Sequence, residues 1–160
     1  MARKMLGVLL LAFCGVASAA DTNKVEGSYV VDNKATQLKY AYSIKEKLAG
    51  KSYKTLLFSA APVSADDLKA EDPFQLFSDE AGKGQVQALE VLFSDDKTIK
   101  SVRIYDKAFD GAFQTGGDEK FEATRFDAGG IGGKITMDRS HKFFDQTYQY
   151  NLTFSVALTP

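Results

Sequence analysis

The sequence predicts an all-β protein, an antiparallel β-sandwich or closed barrel of about eight to nine strands with one short helical insert. Three observations lead there. From Thr147 to Leu158 apolar and polar residues alternate without a break, Tyr148, Tyr150, Leu152, Phe154, Val156 and Leu158 against Thr147, Gln149, Asn151, Thr153, Ser155 and Ala157. A strand sends successive side chains to opposite faces, so this is one long strand with one buried side. Turn signals punctuate the rest of the chain at regular spacing, and the crossover helices that parallel strands require are missing.

Taken in order, the chain starts with Arg3 and Lys4, an uncharged run from Met5 to Val16, and Ala17-Ser18-Ala19-Ala20 ahead of Asp21. These are the parts of a cleavable secretory signal peptide. The run is shorter than the roughly 20 residues a membrane-spanning helix needs. The expected organisation is therefore a leader over residues 1–20, cut after Ala20, and a single β domain over residues 21–160. Export to the periplasm or the medium follows, with no integral membrane segment after cleavage. Cys14 lies inside the leader behind Phe13, where lipoprotein processing prefers a small residue. It is the one cysteine, so the exported part can form neither a disulfide nor a thiolate metal site.

Val25–Val31 reads as the first strand, and Asp32-Asn33 as a turn before a second over Ala35–Lys45, ended by Ala49-Gly50. Tyr53–Ala60 is apolar on both sides at its middle, as in a strand covered on both faces. Ser64-Ala65-Asp66-Asp67 resembles a capping box, which predicts a short helix over Ser64–Ala70 that stops before Asp72-Pro73. Phe74, Leu76 and Phe77 then cap one end of the core. Val86–Phe93 and Ile99–Ala108 flank a hairpin connection at Ser94–Lys97. Asp110-Gly111 and Gly116-Gly117-Asp118 are further turns. Phe121–Phe126 and Ile131–Met137 are strands, and Asp138–Gln146 is the loop before the last one.

Little in this chain points to chemistry. Removing Arg3 and Lys4 from the 20 basic residues leaves 18 against 21 acidic ones, a formal charge of −3, with the signs interspersed. That excludes nucleic acid as a partner. His141 is the one histidine, and it lacks a nucleophile motif and the three or four ligands of a zinc site. The paired acids Asp66-Asp67, Asp79-Glu80, Asp95-Asp96 and Asp118-Glu119 fall at turns or helix ends. Gly129-Gly130-Ile131-Gly132-Gly133-Lys134 departs from a phosphate loop at Ala128 and at Ile135. Its glycines instead allow a sharp bend or a close backbone approach. Asn151-Leu152-Thr153 matches the glycosylation triplet, inside the longest strand. No metal and no cofactor is expected.

The aromatic residues near predicted loops are the candidates for binding: Phe109, Phe113, Phe143 and Phe144, with Arg139 and His141 beside the last two. They either rim a pocket for an apolar or acidic ligand or plug the end of the core. The segments Ile131-Gly132-Gly133-Lys134-Ile135 and Tyr148–Phe154 resemble the C-terminal strands of small exported bacterial β proteins of uncharacterised function. The resemblance covers that segment alone and implies export and a β fold. The expected function is an exported, non-catalytic binding or interaction domain, its partner an apolar small molecule or a protein. The alternatives are an envelope enzyme using carboxylates and His141, and a small outer-membrane β-barrel.

Overall fold

The alternating segment near the end of the chain forms the strand that the sequence predicts, over Gln146–Ala157, and Tyr148, Tyr150, Leu152, Phe154 and Val156 are buried while Asn151, Thr153 and Ser155 are exposed. The computed structural model describes residues 23–48 and 51–158. The expected leader over residues 1–20, with Cys14, and the Ala49-Gly50 break lie outside them. The strands are β1 (Lys24–Val31), β2 (Lys34–Gln37), β3 (Tyr40–Leu48), β4 (Lys51–Ser59), β5 (Ala88–Phe93), β6 (Ile99–Asp106), β7 (Gly111–Thr115), β8 (Glu119–Asp127), β9 (Gly130–Met137), β10 (His141–Phe143) and β11 (Gln146–Ala157). One α-helix, α1, spans Pro73–Gly82.

All pairings are antiparallel. One sheet has the order β2-β1-β11-β9-β8, and β10 continues the place of β9 beside the start of β11. The other runs β3-β4-β5-β6-β7, each strand beside its neighbour in sequence. Neither sheet closes on itself, so the closed-barrel expectation is corrected, and among the described residues the strands number eleven rather than eight or nine. No helix among the described residues is long and apolar enough to cross a membrane.

The higher strand count has local causes. The segment read as one strand over Ala35–Lys45 is two, because the chain changes sheets at Leu38-Lys39. Leu38 N–H donates to the Gly27 carbonyl in the first sheet (3.0 Å), and Lys39 N–H to the Ser59 carbonyl in the second (2.9 Å). β7 lies between the turn signals Asp110-Gly111 and Gly116-Gly117-Asp118, and β10 lies in the stretch read as a loop.

The helical insert also differs from expectation. Ser64 Oγ does accept from Asp67 N–H at 3.0 Å, but only a single 3-10 turn, Asp67–Lys69, follows it. The α-helix begins four residues later, at the Pro73 expected to stop it. Asp72 is its N-cap, its side chain accepting from Gln75 N–H at 3.0 Å. Proline suits the first helical position, where its missing N–H would have no partner in any case.

Packing follows a three-layer order. The main core lies between the sheets and joins Tyr29, Leu152 and Phe154 of one to Leu56, Phe58, Val91 and Ile104 of the other. A second cluster covers the opposite face of the β3–β7 sheet, where Phe77 and Ala81 of α1 pack on Ile44, Leu57, Ala88 and Tyr105. With apolar neighbours on both sides, Leu56, Leu57 and Phe58 are fully buried. That explains the doubly apolar pattern of β4. Each such side chain contributes about 1.5–3 kcal/mol by leaving water.

The glycine-rich stretch serves this packing. A bulge in β8 between Ala123 and Arg125 faces Gly132 and Gly133 of β9. Arg125 lies over Gly129 and Gly130, and its Nε and Nη2 donate to the Asp127 carboxylate at 2.9 and 3.0 Å. Asp127 Oδ1 also accepts from Gly129 and Gly130 N–H. The glycines admit side chains and close a turn.

Candidate functional site

The aromatic candidates meet at one end of the space between the sheets. Asp106 caps the 3-10 turn Lys107–Phe109 by accepting from Ala108 N–H at 2.9 Å, and Asp110, in the left-handed region at φ 53°, ends that turn. The chain then enters β7, which sets Phe109 and Phe113 side by side, stacked at 5.1 Å between centroids. The β10–β11 hairpin brings Phe143 against Phe113 at 4.1 Å. Tyr148 meets Phe113 edge-on at 4.9 Å, and its hydroxyl is 2.9 Å from Thr115 Oγ1. Such ring pairs contribute about 0.5–1.5 kcal/mol each beyond their burial.

Of the six residues singled out in the sequence, Phe109, Phe113 and Phe143 form this cluster directly. Phe144 leans on Phe143 edge-on at 4.6 Å, but it is 81% exposed. His141 flanks the cluster through Tyr148, with its Nδ1 3.3 Å from Asp118 Oδ2. Arg139 is exposed and joins none of the ring contacts. The rings pack against one another at this end, the contacts a plug would make.

Phe144 and Asp145 are the two-residue connection of the β10–β11 hairpin, since Phe143 pairs with Gln146. Phe144 sits at φ 49°. Tight hairpins need a positive φ at the first connecting position, and glycine or asparagine usually supplies it. A bulky side chain there is strained by about 1–3 kcal/mol.

Next to the plug lies a polar cleft that sequence reasoning missed. It has a volume of about 370 Å³ and is lined by residues that include Lys34, Thr36, Gln87, Asp106 and Lys107. Its floor is a hydrogen-bonded set. The fully buried Tyr29 donates its hydroxyl to Asp106 Oδ2 at 2.7 Å, and Gln87 Nε2 donates to the same oxygen at 3.2 Å and to Thr36 Oγ1 at 3.3 Å. Burial, then the hydrogen bond to Asp106, push the Tyr29 phenol far above its usual value. No short-range pattern announces this floor, because Tyr29 and Asp106 are 77 positions apart.

The strongest buried electrostatics lie on the helix-covered face of the β3–β7 sheet. Arg103 Nη1 donates to Glu90 Oε1 at 2.6 Å, Tyr105 donates its hydroxyl to Glu90 Oε2 at 2.8 Å, and Arg103 Nε donates to Gln114 Oε1 at 3.1 Å. The Phe74 ring covers the Arg103 guanidinium at 4.7 Å. Burial and the Glu90 charge raise the Tyr105 pKa. The acid pairs are dispersed: Asp95 bonds Lys54, Glu80 bonds Lys83, and Asp118 faces His141. Among the described residues no group of His, Cys, Asp and Glu could hold a metal ion.

Comparison with protein-family models, curated proteins and solved structures returned no match.

Proposed function

We propose that this chain is an exported, non-catalytic interaction domain, a two-sheet β-sandwich that meets a protein partner through its β10–β11 hairpin. The observation that carries this reading is Phe144, an aromatic ring 81% exposed and held at positive φ at a hairpin tip. Both features cost free energy in the isolated protein. Backbone strain of this kind clusters at functional sites. An exposed aromatic backed by a firm ring stack fits an anchor that enters a partner's pocket. The filled ring cluster beneath favours an external contact over an apolar ligand carried inside.

The test is native mass spectrometry of the mature protein, taken from its own envelope fraction without detergent, beside a Phe144→Asn variant. A defined protein complex that the variant loses supports the proposal. A bare monomer in both, or a monomer carrying organic-extractable mass, overturns it.

A further inference from the structure

We propose that the cleft beside the plug is a binding site for a small hydroxylated carboxylate, an acidic monosaccharide. Four features of the cleft support this. Its floor is built rather than incidental: the buried Tyr29 hydroxyl and the Gln87 amide fix the Asp106 carboxylate from below, and Ala108 N–H holds its other oxygen. A carboxylate offers about four acceptor positions, and these three donors leave one for a ligand hydroxyl. Gln87 spends its amide N–H₂ on Thr36 and Asp106, which leaves its carbonyl oxygen to accept a second hydroxyl.

The rim supplies charge. Lys34 and Lys107 line the cleft, and among the described residues neither forms an ion pair. The acids are occupied instead: Asp106 as above, and Asp32 by Thr147, whose N–H and hydroxyl donate to Oδ1 at 2.8 and 3.3 Å. Two lysines in one cleft with an amide and a carboxylate match a ligand that carries both an acid and hydroxyls.

Size and charge narrow the class. A volume of about 370 Å³ falls at the small end of ligand sites, which span roughly 300–1,000 Å³. The two lysines and two aspartates of the lining sum to zero, so a ligand carboxylate adds one uncompensated negative charge where a phosphate dianion would add two. No aromatic ring lines it, which disfavours a flat apolar molecule.

The experiment is a titration of the mature, isotope-labelled protein with sodium glucuronate, glucose and inorganic phosphate, followed by amide NMR. Glucuronate is expected to shift the Thr36, Gln87 and Ala108 amides saturably, and to bind more tightly than either other probe. Lys34→Gln with Lys107→Gln should weaken it about tenfold or more, as expected for charge-assisted hydrogen bonds. Gln87→Ala should weaken glucuronate and glucose alike. Both variants change exposed side chains, and a dispersed amide spectrum confirms their fold. Absence of saturable shifts, equal affinity for glucose and glucuronate, tighter binding of phosphate, or a double lysine variant that binds like the parent would each overturn the proposal. The cleft does not include Phe144, so Phe144→Asn leaves glucuronate binding unchanged and separates this site from the hairpin tip.

Discussion

The ring of Phe121 occupies the space that a side chain on Gly133 would need, its Cε2 only 2.7 Å from where a Cβ would stand. The Glu122 carbonyl oxygen crowds the same point. Phe121 in turn stacks on Phe154 and meets Phe93 at 4.8 Å, so it cannot withdraw without disturbing the core. Gly133→Ala is therefore expected to destabilise the protein by about 1–3 kcal/mol, the usual range for overpacking. Urea unfolding of the two proteins measures it, and an unchanged midpoint would show that the β8–β9 pair can shift apart.

The Glu90–Arg103 pair makes an opposite kind of demand. Glu90→Gln removes the carboxylate to which Arg103 Nη1 and the Tyr105 hydroxyl donate, and breaking such a buried pair from one side costs about 3–5 kcal/mol. Replacing both, with Glu90→Gln and Arg103→Met, should cost less than the sum of the single changes. A double-mutant cycle by denaturant unfolding reads the difference. Additivity would mean that the two side chains are stabilised independently.

The aromatic end should divide into a structural floor and an expendable tip. Phe113→Ala removes a buried ring that touches Phe109, Phe143 and Tyr148, and it should cost about 3–5 kcal/mol. Phe144→Asn exchanges an exposed ring for a residue that tolerates the left-handed region. It should leave stability within about 0.5 kcal/mol of the parent or raise it. Thermal unfolding of the two variants separates these outcomes.

Acid should loosen the β8–β9 turn in a defined window. Hydrogen bonds from Arg125, then from the Gly129 backbone, lower the Asp127 carboxyl from 3.8 to about 2. A depressed carboxylate contributes stability that is present above its unfolded value, near pH 4, and is lost as pH falls through the folded value, near pH 2. Asp127→Asn should therefore be less stable than the parent at neutral pH and converge with it in strong acid. Carboxyl NMR of Asp127 locates the midpoint directly. A midpoint near 4 would show that the Arg125 contact does not persist in solution.

What the sequence discloses is what its local periods encode. Thr147–Leu158 is legible because one face of β11 meets core and the other meets water, and β4 because it is covered twice. The change of sheet at Leu38-Lys39 leaves no such trace, since both halves keep a strand-like pattern. Pro73 was ambiguous, because the same residue can stop a helix or start one, and only the Asp72 cap decides. The phenylalanine cluster could be anticipated from aromatic residues beside turn signals. Arg139, chosen for its position in the chain, is not part of it. The cleft was hidden because Tyr29, Gln87 and Asp106 converge from distant strands.

The strand order also sets a schedule for assembly. The β3–β7 sheet uses one continuous stretch, residues 40–115, through successive neighbours, so it can form from local contacts as soon as that stretch is free. The other sheet cannot. β1 pairs locally with β2, but its other neighbour is β11, with Lys24 opposite Ser155 and Val31 opposite Tyr148, so the sheet is completed only when the last strand arrives. Until residues 146–157 arrive, the inner face of the meander lacks the strand that lies at the centre of the facing sheet.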